Sequence, residues 1–194
     1  MKRILFVCTG NTCRSPMAEA ILTKMAKESG LQLEILSAGV SAAEGASISP
    51  HAKRVLQEKG IDCELRSSML TKETVDWADL VLTMTMGHKQ AVISRYPYAV
   101  DKVFTLKEYA EEDQAVLAVL AEYNKLLSDR QIKQSLSQAF SPEDEERLQE
   151  LAEKLPVFDI ADPFGGPLDV YQSCADELAD ALQKLVKKLQ AAKT

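Results

Sequence analysis

Eight residues near the start of the chain, Cys8-Thr9-Gly10-Asn11-Thr12-Cys13-Arg14-Ser15, set a thiol and a guanidinium apart by five residues. The apolar run Ile4 to Val7 precedes them, and Pro16 suits the first turn of a helix that follows. A loop running from a buried strand into a helix aims several backbone N–H groups at one point, where the helix dipole adds positive potential. Arg14 adds a planar fork that can grip two phosphoryl oxygens. The same amides and guanidinium favour a thiolate at Cys8. An ionised sulfur held beneath a phosphoryl group is what a covalent phosphoenzyme requires. Ser15 is expected to hydrogen-bond that sulfur and to stabilise it as it leaves. Gly10 is expected to give the loop a conformation closed to residues with a Cβ. A buried structural cysteine beside a surface arginine would explain either residue alone. It does not explain Cys, Gly, Arg and Ser together at one strand-to-helix junction.

A proton must also reach the leaving group. The segment Ala161-Asp162-Pro163-Phe164-Gly165-Gly166-Pro167 is a turn fixed by two glycines and two prolines, and it could hold the Asp162 carboxylate over the cradle. Asp159 and Asp169 compete on spacing alone, and any of the three could simply satisfy its own turn.

The elements that must position these groups alternate. Ile4–Val7 reads as a strand buried on both faces of a parallel sheet. Ala18, Ala20, Ile21, Leu22, Met25 and Ala26 then give a helical face that Gly30 ends. Leu33–Leu36 is a second strand, followed by Ser37-Ala38-Gly39 as a turn. Pro50 opens a helix through Leu56 that stops at Gly60. A short helix over Thr71–Trp77 leads into a third strand, Asp79–Met84, and Lys102–Thr105 is a fourth. The tail carries apolar residues at 171, 174, 178, 182, 185 and 189, one stripe on a closing helix. Strands alternating with helices predict a doubly wound α/β fold, with one parallel sheet flanked by helices. Residues 110–160 interrupt this rhythm with two amphipathic patterns. One runs along Val116, Leu120, Tyr123 and Leu127. The other runs from the cap Ser141-Pro142-Glu143-Asp144 to Leu155. They predict a helical hairpin inserted into a single domain spanning 1–194.

A length of 194 residues suffices for a buried core. The net charge of -6 argues against nucleic acid, whose phosphates demand a basic face. No stretch reads as a membrane span or a signal-peptide core. Four scattered cysteines fit a reducing compartment, so the chain is expected to be cytoplasmic. No Cys/His cluster has zinc spacing, and neither a metal nor a cofactor is expected. His51 and His88 stand alone and are expected at helix starts or on the surface.

The block Cys8 to Ser15 continued by Pro16-Met17-Ala18-Glu19, together with Ser37-Ala38-Gly39, Trp77 to Met84 and Asp162-Pro163, resembles the low-molecular-weight protein tyrosine phosphatases. The likeness covers Lys2 to Thr105 and Asp159 to the end. It implies a four-stranded parallel sheet, Cys8 as nucleophile, Arg14 as phosphate ligand and Asp162 as general acid. Asn11 and Ser15 would shape the loop. Thr9, Gly10, Thr12, Cys13 and Phe164 would line the substrate site. Tyrosine-specific members tend to carry paired aromatics after Asp-Pro and an aliphatic residue in place of Thr12. Phe164-Gly165-Gly166, Thr12 and the segment Asp101–Tyr109 look instead like the bacterial protein-arginine-phosphatase branch, which implies phosphoarginine proteins as partners, with phosphotyrosine as the alternative. Many members place a His where this chain has Leu65, so Asn11 must be held otherwise, with Arg66, Ser67 or Ser68 available.

Cys13 is close enough in sequence to Cys8 for peroxide to join them reversibly, which would protect the nucleophile. Cys63 and Cys174 are expected to pack. An arsenate reductase would need further cysteines placed to relay a disulfide, and a phosphoprotein-binding module would need no thiolate. The hairpin could serve as a lid, a docking surface, a dimer interface or a tolerated elaboration.

Overall fold

The structure, a computed structural model, describes residues 1–192. Its sheet has four parallel strands in the order β2-β1-β3-β4. These are β1 (Lys2–Cys8), β2 (Leu33–Gly39), β3 (Leu80–Thr83) and β4 (Val103–Thr105). β1 lies in the interior, paired with β2 on one side and β3 on the other. Its side chains alternate between two cores. Ile4 and Phe6 join the larger one, and Leu5 and Val7 pack with Val75, Val81 and Val92 across the sheet. All four are fully buried, as a strand covered on both faces requires.

Helix α1 (Arg14–Glu28) follows directly and ends at Gly30, whose φ of 65° suits a residue without a Cβ. Next come α2 (Pro50–Glu58) and α3 (Lys72–Trp77), the latter held by a reciprocal cap between Thr71 and Thr74. The closing helix α8 (Leu168–Ala191) buries the expected stripe of Tyr171, Cys174, Leu178, Leu182, Leu185 and Leu189 against α1 and α2.

One expectation changes. Ser37-Ala38-Gly39 is not a turn but the end of β2, paired with Phe6, Val7 and Cys8, so the strand runs alongside the start of the loop that follows β1. Three elements had no expectation: α4 (Met86–Arg95), a 3₁₀ turn (Pro97–Lys102) and α5 (Leu106–Ala110). α4 buries only His88 and Val92, too few residues to set up a readable period.

The chain divides into two compact units, Met1–Ala110 with Phe158–Thr194, and Glu111–Val157. The second contains α6 (Gln114–Ser135), capped by Asp113, and α7 (Pro142–Lys154), capped by Ser141. The two helices pack on each other, with Arg147 gripping both carboxylate oxygens of Glu122 at 2.8 and 3.0 Å.

Candidate active site

The loop between β1 and α1 forms the floor of a cavity of about 210 Å³, lined by Cys8, Thr9, Gly10, Thr12, Cys13, Arg14, Asp162 and Phe164. Every residue expected to touch phosphate or substrate is in that lining except Asn11 and Ser15, which are fully buried beneath it. Cys8 and Cys13 are free thiols, and Cys13 caps α1 with its sulfur 3.4 Å from the Tyr171 hydroxyl.

The loop is held from below by a directed chain of hydrogen bonds. Asn11 sits at φ 52°, the left-handed region that Asn tolerates better than most residues. Its Nδ2 donates to Ser15 Oγ at 2.9 Å and to Ser37 Oγ at 2.8 Å, while its Oδ1 accepts the Ser68 backbone N–H at 2.7 Å. Ser37 in turn donates to Glu19 Oε2 at 2.5 Å. Because Ser15 Oγ accepts from Asn11, its proton is left for an acceptor, with Cys8 Sγ at 3.0 Å and Ala38 O at 3.5 Å; the sulfur is the nearer. Burial pushes the Glu19 carboxyl up, against the opposing effect of the Ser37 bond. Leu65 therefore leaves no gap: the Ser68 amide and Ser37 hydroxyl hold Asn11, and Ser67 Oγ donates to Gly10 O at 2.8 Å.

Gly10 does not play the expected part. Its φ is not positive, and a Cβ there would meet only Thr12 Oγ1 at 3.7 Å. The position that excludes a side chain is Gly39, where a Cβ would lie 2.5 Å from Thr9 O and 2.9 Å from Asn11 N. The glycine demanded by the loop is on the neighbouring strand.

Arg14 is buried and donates from Nη1 to Ile160 O at 3.2 Å and from Nη2 to Asp162 Oδ2 at 2.6 Å. Of the three competing aspartates, Asp162 is the one on the cavity. Asp159 instead accepts the Met86 N–H at 2.7 Å, and Asp169 lies in the first turn of α8. Asp162 Oδ1 accepts the Phe164 N–H, which fixes the turn. Phe164 stands at the rim, 76% exposed. Gly165 has φ 78°, and a Cβ on Gly166 would come within 3.1 Å of Pro163 O, so this backbone resists a second aromatic after Phe164.

His51 lies at the start of α2, edge-on to Tyr171. His88 lies at a helix start as expected, in the first turn of α4, and is buried there with Nε2 2.8 Å from Thr9 Oγ1. The available signal was Thr85, an N-cap residue three positions before it. Glu19 and Ser37 were visible only as motif members with no stated role. Cys174 donates to Ala161 O, and burial pushes its thiol up to about 12, so it remains protonated and unreactive. Among the described residues, no group of three or more His, Cys, Asp or Glu side chains could hold a metal ion. No described helix is long and apolar enough to cross a membrane.

A cysteine at a strand-to-helix loop, a buried arginine and a carboxylate lining the same cavity, on a four-stranded parallel sheet, define a phosphatase. The chain belongs to the low molecular weight phosphotyrosine protein phosphatase family, whose sequence profile matches residues 3–125. It is 43% identical over 188 residues to a protein-arginine-phosphatase of Geobacillus stearothermophilus, covering 97% of this chain and 96% of that protein. It is 38% identical over 187 residues to the protein-arginine-phosphatase of Bacillus subtilis, with 96% of each chain covered. Among solved structures, it superposes on the YwlE arginine phosphatase of Geobacillus stearothermophilus with a TM-score of 0.72, at 42% identity and covering 100% of this chain and 96% of that one.

Proposed function

We propose that this phosphatase removes phosphate from arginine side chains of cytoplasmic proteins, using Cys8 as nucleophile, Arg14 as phosphate ligand and Asp162 as general acid and base. The observation that carries the substrate reading is the cavity wall. It is lined by two threonines, Thr9 and Thr12, and by Asp162, with a single aromatic, Phe164, at the rim. A phenol ring needs apolar faces on both sides. A phosphoguanidine needs hydrogen-bond partners for its N–H groups, and this wall supplies them.

The chemistry follows from the same atoms. The phosphoryl group competes with Asp162 for Arg14 Nη2, so substrate entry passes the guanidinium from carboxylate to phosphate. Cys8 Sγ attacks phosphorus, and the S–P bond forms as the P–N bond breaks. The bonding pair goes to the guanidine nitrogen, which takes a proton from Asp162, the carboxyl having gained that proton from solvent once Arg14 turned to the phosphate. Water then attacks phosphorus and gives a proton to Asp162. The S–P electrons return to sulfur as a thiolate, which accepts the hydrogen bond from Ser15. Loop amides at the head of α1 hold the equatorial oxygens throughout.

The test is kcat/KM on matched peptides carrying phosphoarginine or phosphotyrosine, for the parent and Thr12→Ile. The parent is expected to favour phosphoarginine, and the variant to shift toward phosphotyrosine. A parent that strongly favours phosphotyrosine contradicts the substrate reading and leaves the phosphatase chemistry intact.

A further inference from the structure

Thr9 follows the nucleophile directly, and its side chain has a partner 79 residues away. Its Oγ1 lies 2.8 Å from His88 Nε2, and the other ring nitrogen, Nδ1, lies 2.9 Å from Thr85 Oγ1. Thr85 caps α4 and already accepts the His88 backbone N–H at 3.2 Å. His88 is buried, and its imidazole is clamped between two hydroxyls.

The protons in this chain can be placed by counting. A neutral imidazole has one donor and one acceptor. Burial, and secondarily the positive charge of Arg14, hold His88 below the usual imidazole value, which keeps it neutral near pH 7. Among the described residues, His88 Nδ1 is the one protein acceptor within reach of the Thr85 hydroxyl proton. Thr85 therefore donates to Nδ1, and Nε2–H donates to Thr9 Oγ1. Thr9 keeps its own proton and one lone pair, and both are left for the cavity that it lines with Cys8, Arg14 and Asp162.

We propose that His88 is a positioning residue that fixes the Thr9 hydroxyl as a paired donor and acceptor toward the substrate, and so selects phosphoguanidine over aryl phosphate. The inference rests on the phosphoarginine reading above. A phosphoguanidine carries acceptor oxygens on phosphorus beside donor N–H groups on the leaving side, so a hydroxyl with a free proton and a free lone pair matches both. An aryl phosphate presents only the oxygens and a flat apolar ring. Without His88 the hydroxyl rotates freely; its contact with the phosphoryl oxygens weakens for both substrates, and the guanidine loses a second contact, the one to its N–H groups. Because the contact forms in the ground state as well as the transition state, the loss falls mainly on KM.

The experiment compares a phosphoarginine peptide with an aryl phosphate for the parent, His88→Ala, His88→Gln, Thr9→Val and the Ala/Val double variant. His88→Ala and Thr9→Val are each expected to lower kcat/KM on the peptide about ten-fold more than on the aryl phosphate, mostly through KM. The double variant is expected to be no worse than either single change, since both remove one interaction. His88→Gln keeps an N–H donor near the Nε2 position and is expected to recover most of the selectivity. Aryl phosphate turnover within each variant reports whether the loop has folded. Equal losses on both substrates, additive losses, or no recovery in His88→Gln would overturn the role of His88 while leaving the phosphoarginine reading in place. A parent that prefers the phosphotyrosine peptide overturns both together.

Discussion

Glu19 shows how far the chemistry of one residue can lie from the substrate. Its carboxylate anchors Ser37, Ser37 anchors Asn11, and Asn11 turns the Ser15 proton toward the Cys8 sulfur. The cost of burying that carboxylate is a stability that depends on pH. In the unfolded chain Glu19 ionises at its ordinary value of 4.5, and in the fold burial raises it. Between the two values the folded state holds the extra proton, so its contribution is full below the unfolded value and is lost as pH rises through the folded one. Glu19→Gln preserves an acceptor for Ser37 and removes the titration. Urea midpoints measured from pH 4 to 7 are expected to fall less steeply in the variant than in the parent. An identical slope would show that this carboxylate is not held protonated by the fold. At this scale the sequence was most informative for residues close together in the chain. Cys8, Arg14 and Ser15 could be grouped as one candidate site because one loop and one helix start hold them together. His88 could not, because its role depends on Thr9 across 79 residues of chain, and no local pattern encodes that meeting. Asp162 was one of three aspartates until the turn placed it against Arg14, 148 residues from it in sequence.

The catalytic loop is shaped by its neighbours as much as by its own residues. β2 runs alongside β1 up to Cys8, and Gly39 brings that strand end into contact with the backbone of Thr9 and Asn11. Gly39→Ala would force a methyl group against two backbone atoms that cannot rotate away. It is expected to cost about 1–3 kcal/mol and to abolish most phosphate release. Gly10→Ala, whose Cβ would make only an ordinary contact with Thr12 Oγ1 at 3.7 Å, is expected to be milder on both counts. Urea unfolding and phosphate release measured side by side check the pair, and the reverse order would contradict the packing account. The same element explains a misreading. Ser37-Ala38-Gly39 has the composition of a turn, but pairing with a fully buried strand overrides local preference. α5 is five residues long, below the length at which an apolar period can be read.

The molecule contains two compact units, Met1–Ala110 with Phe158–Thr194, and Glu111–Val157. The break in the strand-helix rhythm marked residues 110–160, and the compact unit spans Glu111–Val157. Every residue lining the cavity, and every residue in the hydrogen-bond chain beneath it, belongs to the unit formed by Met1–Ala110 and Phe158–Thr194. Replacing residues 112–157 by a short flexible linker is therefore expected to leave hydrolysis of a small aryl phosphate within about threefold of the parent, a change of less than 1 kcal/mol in barrier. A loss of a hundredfold in a folded variant would show that the second unit takes part in the chemistry. What the hairpin could be for was not legible, since amphipathic stripes specify burial but not a partner.

The most direct test of the account is to trap the intermediate. The protein is mixed with a phosphoarginine peptide, quenched within milliseconds, digested and analysed by mass spectrometry. The account predicts a phosphoryl group on Cys8, formed faster than from a matched phosphotyrosine peptide, and its disappearance in Cys8→Ser as a turnover intermediate. A phosphoryl group on another residue, or one that forms on Cys8 only from phosphotyrosine, would contradict it.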